Sequence, residues 1–268
     1  MSYKNLFRFT LTLLFCLVLL IAGVIYTVPE KVFSEDSQLS RNYFLAKTLL
    51  SPDLMTSVDT NGEKLLALTF DDGPDPLYTA QVLDILKENA VPATFFVVGQ
   101  HAVLRPDLVQ RAVREGHEIE NHTYTHPHLD TQPAMRVEEE ISNTEAVITT
   151  LSNYRPVYFR PPRRMYNQQI IDTSKARGYR LVLWTIGLEH HASQTPEEMA
   201  QRVIDKASPG MIILAHDGIL DRSRTVAALP MVIKGYRGLG YRFVTLQELV
   251  EKGDSVAREK AIQAQHKQ

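Results

Sequence analysis

The chain has 268 residues, 44% hydrophobic and 22% charged, a composition that fits one globular domain with appendages and excludes a disordered or collagen-like polymer. Lys+Arg 29 against Asp+Glu 31 leaves a formal net charge of -2, so no basic field marks a nucleic-acid partner. The single cysteine, Cys16, excludes a disulfide framework, a Cys-based zinc site and a cysteine nucleophile in the body, so any metal must be held by His and carboxylate.

Residues 9–28 carry no charge and are rich in Leu, Val, Ile and Phe. At about 1.5 Å per residue they are long enough to cross a hydrocarbon core of roughly 30 Å. Lys4 and Arg8 precede them, which holds the N-terminus in the cytoplasm and sends the rest outward. No small-x-small cleavage site follows Ala22-Gly23, so 1–28 reads as an uncleaved anchor, with a cleaved signal and a secreted product as the alternative. Cys16 is then a packing residue within the span. Residues 29–62 lack sustained periodicity and end at the turn Asn61-Gly62, as a spacer would.

A catalytic body is expected over 63–252. Short apolar runs at 65–70, 93–98, 117–120, 157–160, 180–186, 211–215 and 242–244 predict strands. Amphipathic patterns predict helices between them, among them 78–88, 106–115 stopped by Gly116, and 196–207 entered by Thr195 with Pro196 at the first helical position. Alternating β and α units imply a mostly parallel α/β sheet, and about seven of them in this length predict a closed or nearly closed barrel smaller than the eight-fold form. The charged, Ala- and Gln-rich tail at 253–268 is expected to be a frayed helix or disordered.

Active-site groups of parallel barrels gather where strands end, and ionisable residues fall at those ends. They are Asp71-Asp72-Gly73-Pro74, Asn121-His122 with His126, Arg160-Pro161-Pro162, Glu189-His190-His191 after Trp184, and His216-Asp217. Adjacent Asp71 and Asp72 either cap the following helix or need a neutralising cation or arginine. The spacing of His122 and His126 puts two imidazoles one helical turn apart, and with an Asp the pair makes a two-His, one-carboxylate site with open positions. A cation bound there would polarise a carbonyl and lower the pKa of water, and Asp71, Arg160 and His216 are ionisable neighbours at the same strand ends. A backbone N–H near Arg163 could meet the developing oxyanion. His101 and His117 read as surface or cap residues, and His128 as loop packing.

The stretches Thr69-Phe70-Asp71-Asp72-Gly73-Pro74, Asn121-His122-Thr123-Tyr124-Thr125-His126-Pro127-His128, Phe159-Arg160-Pro161-Pro162 and Leu214-Ala215-His216-Asp217 resemble, in this order, the motifs of the polysaccharide deacetylases, the carbohydrate esterase family with the NodB-homology domain. The resemblance covers roughly 63–252. It implies a distorted (β/α)7 barrel that removes acetyl from N-acetylated sugars with a divalent metal, Zn2+ foremost and Co2+ or Ni2+ as alternatives. It also implies Asp72, His122 and His126 on the metal, Asp71 as base, Arg160 as its partner and His216 as acid, with Trp184 and Leu214 walling the acetyl methyl. Two places depart from the family pattern. Arg163-Arg164 stand where an aromatic is common, which points to anionic groups near the substrate. After Trp184 the usual Asp that tunes the acid is missing, leaving Glu189 as the favoured substitute and His190 as the other candidate. A membrane-anchored deacetylase facing the cell wall is therefore expected, acting on peptidoglycan or another N-acetylated glycan. Its rivals are a catalytically weakened glycan-binding or wall-assembly protein and an O-acetyl esterase or other amide hydrolase on the same fold.

Overall fold

A computed structural model describes residues 54–190, 193 and 195–265. Among them no helix is long and apolar enough to cross a membrane. The span expected at 9–28 and most of the spacer lie outside the described residues, as does His191.

The strands are β1 (Leu54–Met55), β2 (Leu65–Asp71), β3 (Thr94–Val97), β4 (Glu118–Asn121), β5 (Tyr158–Phe159), β6 (Arg180–Val182), β7 (Ile186–Gly187), β8 (Met211–His216) and β9 (Arg242–Val244). The helices are α1 (Tyr78–Glu88), α2 (Gly99–Leu104), α3 (Pro106–Arg114), α4 (Ala134–Ser152), α5 (Gln168–Ala176), α6 (Pro196–Ile204), α7 (Ser223–Gly238) and α8 (Leu246–Gln265), with single 3-10 turns at Leu129–Thr131 and Pro162–Arg164. Strand order is β1-β6-β5-β4-β3-β2-β8-β7. The centre is β2, every residue of which is buried. It pairs with β8 along one edge, and on the other with β3 through Thr69–Asp71 and β9 through Leu65–Ala67, all parallel. A strand covered on both faces has to be apolar at nearly every position, and Leu-Leu-Ala-Leu-Thr-Phe is.

Of the closed or nearly closed barrel expected from seven units, the described residues form a parallel half-barrel whose hydrogen-bonded path is open. The run 180–186 is not one strand. β6 pairs with β5, β7 pairs with β8 at the far end of the sheet, and the three residues between them carry the chain across. There Leu183 N donates to Met55 O (2.7 Å) and Thr185 N to Ile212 O (2.8 Å), so the backbone changes partners within a single step.

Side chains alternate across each strand. On β2 and β8 the residues Leu66, Leu68, Phe70, Met211, Ile213 and Ala215 face the helices, packing against Val82, Leu83 and Leu86 of α1 and Leu229, Val232 and Ile233 of α7. Leu65, Ala67 and Ile212 face the other way and cluster with Phe96, Tyr158, Val182 and Leu246, Leu249 and Val250 of α8. Continuing that second parity towards the strand ends gives Thr69, Asp71, His122, Arg160, Trp184, Leu214 and His216. One face of the sheet therefore collects the polar residues.

The capping reading of α6 holds. Thr195 Oγ1 accepts from Glu198 N and Glu198 Oε2 accepts from Thr195 N, both at 3.2 Å. Val58 N donates to Gly210 O (2.8 Å), so ordered packing begins before Glu63. Gly253, read as the start of a polar tail, lies inside α8, where a Cβ would collide with Val58 Cγ1. A larger residue there would have to displace the Val58 side chain.

Candidate active site

Asp71 ends β2 and Asp72 follows it with φ 78, a left-handed conformation that turns its carboxylate towards the strand ends. The fully buried Arg160 follows β5 and bonds through all three guanidinium nitrogens. Nη1 meets Asp71 Oδ1 (2.6 Å) and Thr69 Oγ1 (3.0 Å), Nε meets Val182 O (3.2 Å), and Nη2 meets Leu183 O (3.0 Å). The break between β6 and β7 thus leaves carbonyls that the guanidinium satisfies, which orders one nitrogen towards Asp71. The guanidinium lies 4.0 Å from the Phe96 ring centroid and 5.9 Å from that of Trp184.

His122 and His126 approach with ring centroids 5.1 Å apart, but the one-helical-turn explanation of their spacing is corrected. They sit on a loop, with Thr123 (φ 70) and His126 (φ 56) left-handed. Buried Glu140 of α4 shapes that loop, its Oε2 accepting from Tyr124 N (2.8 Å) and Thr125 N (2.7 Å) and its Oε1 from Thr125 Oγ1 (2.7 Å). His122 Nδ1 lies 2.7 Å from Arg160 O. A carbonyl only accepts, so Nδ1 carries a proton, and Nε2 is the ring nitrogen left to face Asp72.

Asp72 Oδ1 is 3.1 Å from His126 Nε2 and 3.6 Å from His122 Nε2, yet it is buried with no hydrogen-bond partner. A carboxylate oxygen and two imidazole nitrogens facing one point are the donor set of a divalent cation. Among the described residues this is the one group of three that can hold a metal ion. Burial pushes His126 below the ordinary histidine range, and Asp72 only partly opposes it, so the ring is neutral and able to ligate near pH 7. Burial alone would raise Asp72, but the imidazoles of His122 and His126 beside it hold its carboxyl below the usual range.

Across the site, His216 at the end of β8 puts Nδ1 3.1 Å from Glu189 Oε2. The other oxygen of Glu189 accepts from His216 N (3.0 Å) and Thr225 Oγ1 (2.7 Å). Burial would lower His216, but the Glu189 carboxylate overrides it and raises the imidazole above its ordinary value. His190 contributes its carbonyl to Ser193 N (2.9 Å), and Glu189 is the residue set on His216. Trp184 and Leu214 adjoin, since a Cβ at Gly187 would touch Trp184 Nε1 (3.9 Å) and Leu214 Cδ2 (4.0 Å). Arg163, exposed and left-handed at φ 55, donates from Nη1 to His126 O (3.0 Å), and the Arg164 guanidinium lies 5.5 Å from the Trp184 ring.

Two histidines set aside as surface or cap residues are placed differently. His101 on α2 brings Nδ1 2.8 Å from Asp72 O. His117 is buried, its Nδ1 accepting from Ala93 N (3.2 Å), and burial lowers its pKa to about 4. Sequence reasoning also missed Glu140, Arg222 and the burial of Asp217. Arg222 Nη2 lies 3.2 Å from Asp72 Oδ2. Asp217 accepts from Thr79 Oγ1 (2.6 Å), and burial beside Asp72 and Asp71 pushes its carboxyl up to about 7.

The family model for polysaccharide deacetylase matches residues 58–182. A peptidoglycan-N-acetylglucosamine deacetylase of Bacillus cereus is 39% identical over 208 residues, 77% of this chain and 97% of that protein. A chitooligosaccharide deacetylase of Bradyrhizobium is 34% identical over 203 residues, 71% of this chain and 93% of that one. The crystal structure of the Bc1960 peptidoglycan N-acetylglucosamine deacetylase superposes with a TM-score of 0.71 at 32% identity, covering 74% of this chain and 93% of that chain. Motif order, parallel half-barrel and shared length agree, and the chain belongs to the polysaccharide deacetylase family.

Proposed function

We propose that this hydrolase removes the N-acetyl group from N-acetylglucosamine units of peptidoglycan, using a divalent metal, Zn2+ foremost, held by Asp72, His122 and His126. The observation that carries it is the buried, hydrogen-bond-free Asp72 Oδ1 facing two imidazole nitrogens, with a carboxylate–arginine pair on one side and a histidine–glutamate pair on the other. The relatives' activities favour peptidoglycan over shorter chito-oligomers, and Arg163-Arg164 fits a polymer that carries acidic groups.

A bound cation there would polarise the acetyl carbonyl and make attack by water feasible near neutrality. Asp71, paired with and aimed by Arg160 at 2.6 Å, takes the proton of the attacking water. His216, held protonated by Glu189, delivers a proton to the departing amine nitrogen, which would otherwise leave as an unstable anion. Trp184 and Leu214 receive the acetyl methyl. The rival of a weakened binding protein rests on the missing tuning Asp, and against it stands the Glu189 carboxylate 3.1 Å from His216 Nδ1.

We place the body outside the cytoplasmic membrane, anchored through 9–28, on the strength of Lys4 and Arg8 before the uncharged span. Mass spectrometry of acetylated peptidoglycan fragments incubated with the protein tests the activity. Loss of one acetyl per modified sugar, abolished by a chelator and restored by Zn2+, supports it, and no loss with any divalent metal overturns it. A reporter active only outside the cytoplasm, fused after Gln268, tests the topology. Activity supports it, and silence of a fusion that accumulates in the membrane refutes it.

A further inference from the structure

The two oxygens of Asp72 meet different chemistry. Oδ1 faces the imidazoles of His126 and His122, whereas Oδ2 lies 3.2 Å from Nη2 of Arg222. Arg222 precedes α7 in the chain and is buried, its Nε donating to Gly218 O (2.8 Å). Gly218 in turn lies so close to Asp72 that a Cβ would collide with the Asp72 carbonyl oxygen. The segment from Asp217 to Arg222 therefore holds Asp72 at both its backbone and its carboxylate, and one rigid guanidinium joins the two holds.

Resting on the metal-centre reading above, we propose that Arg222 is a positioning residue for that centre, occupying Asp72 Oδ2 so that Asp72 presents a single, fixed oxygen to the cation. A carboxylate with both oxygens free can rotate or swing between one-oxygen and two-oxygen binding. The fork of Arg222, pinned by Gly218 O, removes that freedom and withdraws charge from the oxygen the cation does not use. A lysine could neutralise Oδ2 but could not bond Gly218 O and Asp72 from one planar group. Arg160 plays the same part for Asp71, so each of the adjacent carboxylates has its own buried arginine.

The test is Zn2+ affinity of the full chain, measured by competition with a chelating dye, in Arg222→Met, Arg222→Lys and the parent, alongside thermal melting of each metal-free protein. Loss of an outer partner of this kind typically weakens a metal site about 10–100-fold, and that loss is expected in Arg222→Met, with partial recovery in Arg222→Lys. A solely structural role would lower the melting temperature and leave the affinity of the folded protein unchanged, which would overturn the proposal. Should Arg222→Met fail to fold, Arg222→Lys decides alone, and parental affinity there overturns it equally. His126→Ala in the same titration separates the two readings. If it binds Zn2+ as the parent does, the metal centre itself is misassigned; if it loses Zn2+ while Arg222→Met and Arg222→Lys retain it, only the role of Arg222 falls.

Discussion

Glu189 uses both carboxylate oxygens on His216, Oε2 lying 3.1 Å from the ring Nδ1 and Oε1 3.0 Å from the backbone N. One residue thus fixes the position of the strand end and the protonation of the imidazole it carries. Thr225 at the start of α7 bonds the same oxygen, Oε1, which keeps the carboxylate from rotating away.

Because the Glu189 carboxylate raises His216, the acid form persists further into the alkaline range than a free imidazole would allow. Glu189→Gln should lower kcat/KM at and above neutral pH and move the alkaline limb of the pH–rate profile towards acid. The stability difference between parent and variant has a matching window. His216 contributes below its unfolded value near 6.5 and loses its part as pH rises through the raised folded value. Glu189, lowered in the fold mainly by His216 against its own burial, contributes above about 4.3 and loses its part as pH falls through the folded value. The difference should therefore be largest between those limits. A profile and denaturation midpoint indistinguishable from the parent's at every pH would remove Glu189 from this role.

Much of the site was legible because strand ends and side-chain parity are local properties. Asp71, Arg160 and His216 sit where short apolar runs stop, and parallel packing brings those ends together. Glu140 was legible in principle. Val137, Ile141, Thr144 and Ile148 form the buried stripe of α4, and position 140 falls within it at helical spacing, whereas Glu139 beside it does not. Arg222 was not legible. It lies 150 residues from Asp72, no periodicity links the two, and a lone arginine before a helix is ordinarily a solvated charge. The break at 183–185 was hidden for a related reason, since an apolar run reveals burial without revealing which neighbour it pairs with.

Arg160→Met should destabilise the fold by about 3–5 kcal/mol, because it strands the buried Asp71 carboxylate without its partner and leaves the carbonyls of Val182 and Leu183 unsatisfied. Urea denaturation of the metal-free protein measures this. A midpoint equal to the parent's at unchanged slope would show that the pair contributes no stability. Asp71→Asn keeps the shape and should remove turnover while costing less stability than Arg160→Met.

His126→Ala takes away one of three converging ligand atoms and should weaken Zn2+ binding by more than the roughly 100-fold that loss of an outer partner costs. Equilibrium dialysis with the parent, His126→Ala and His122→Ala measures it. Equal stoichiometry and affinity in all three would place the cation elsewhere.

Glu140→Gln tests whether the loop between the two histidines is held from behind by α4. The carboxylate accepts three bonds, two of them from the backbone N–H groups of Tyr124 and Thr125 and one from Thr125 Oγ1. The amide is nearly the same shape but carries no charge and offers one accepting oxygen. With its NH2 towards the loop backbone, two buried N–H donors lose their acceptor; with its NH2 towards Thr125 Oγ1, whose hydroxyl can turn to accept, it meets the Arg136 guanidinium that pairs with Glu140 Oε1 at 3.0 Å. The cost is that of a lost ion pair or of buried donors left without acceptors, up to about 1–3 kcal/mol, and it falls on a segment whose left-handed residues, Thr123 and His126, have no helix or strand to keep them in place. The variant should therefore lose stability and Zn2+ affinity together, although Glu140 is no ligand. Glu139→Gln, half-exposed on the same helix and bonded to Arg136, should change neither by more than the few tenths of a kcal/mol typical of an exposed pair. If Glu140→Gln were destabilised but bound Zn2+ like the parent, the loop would hold its shape without Glu140, and the two imidazoles would owe their approach to the backbone alone.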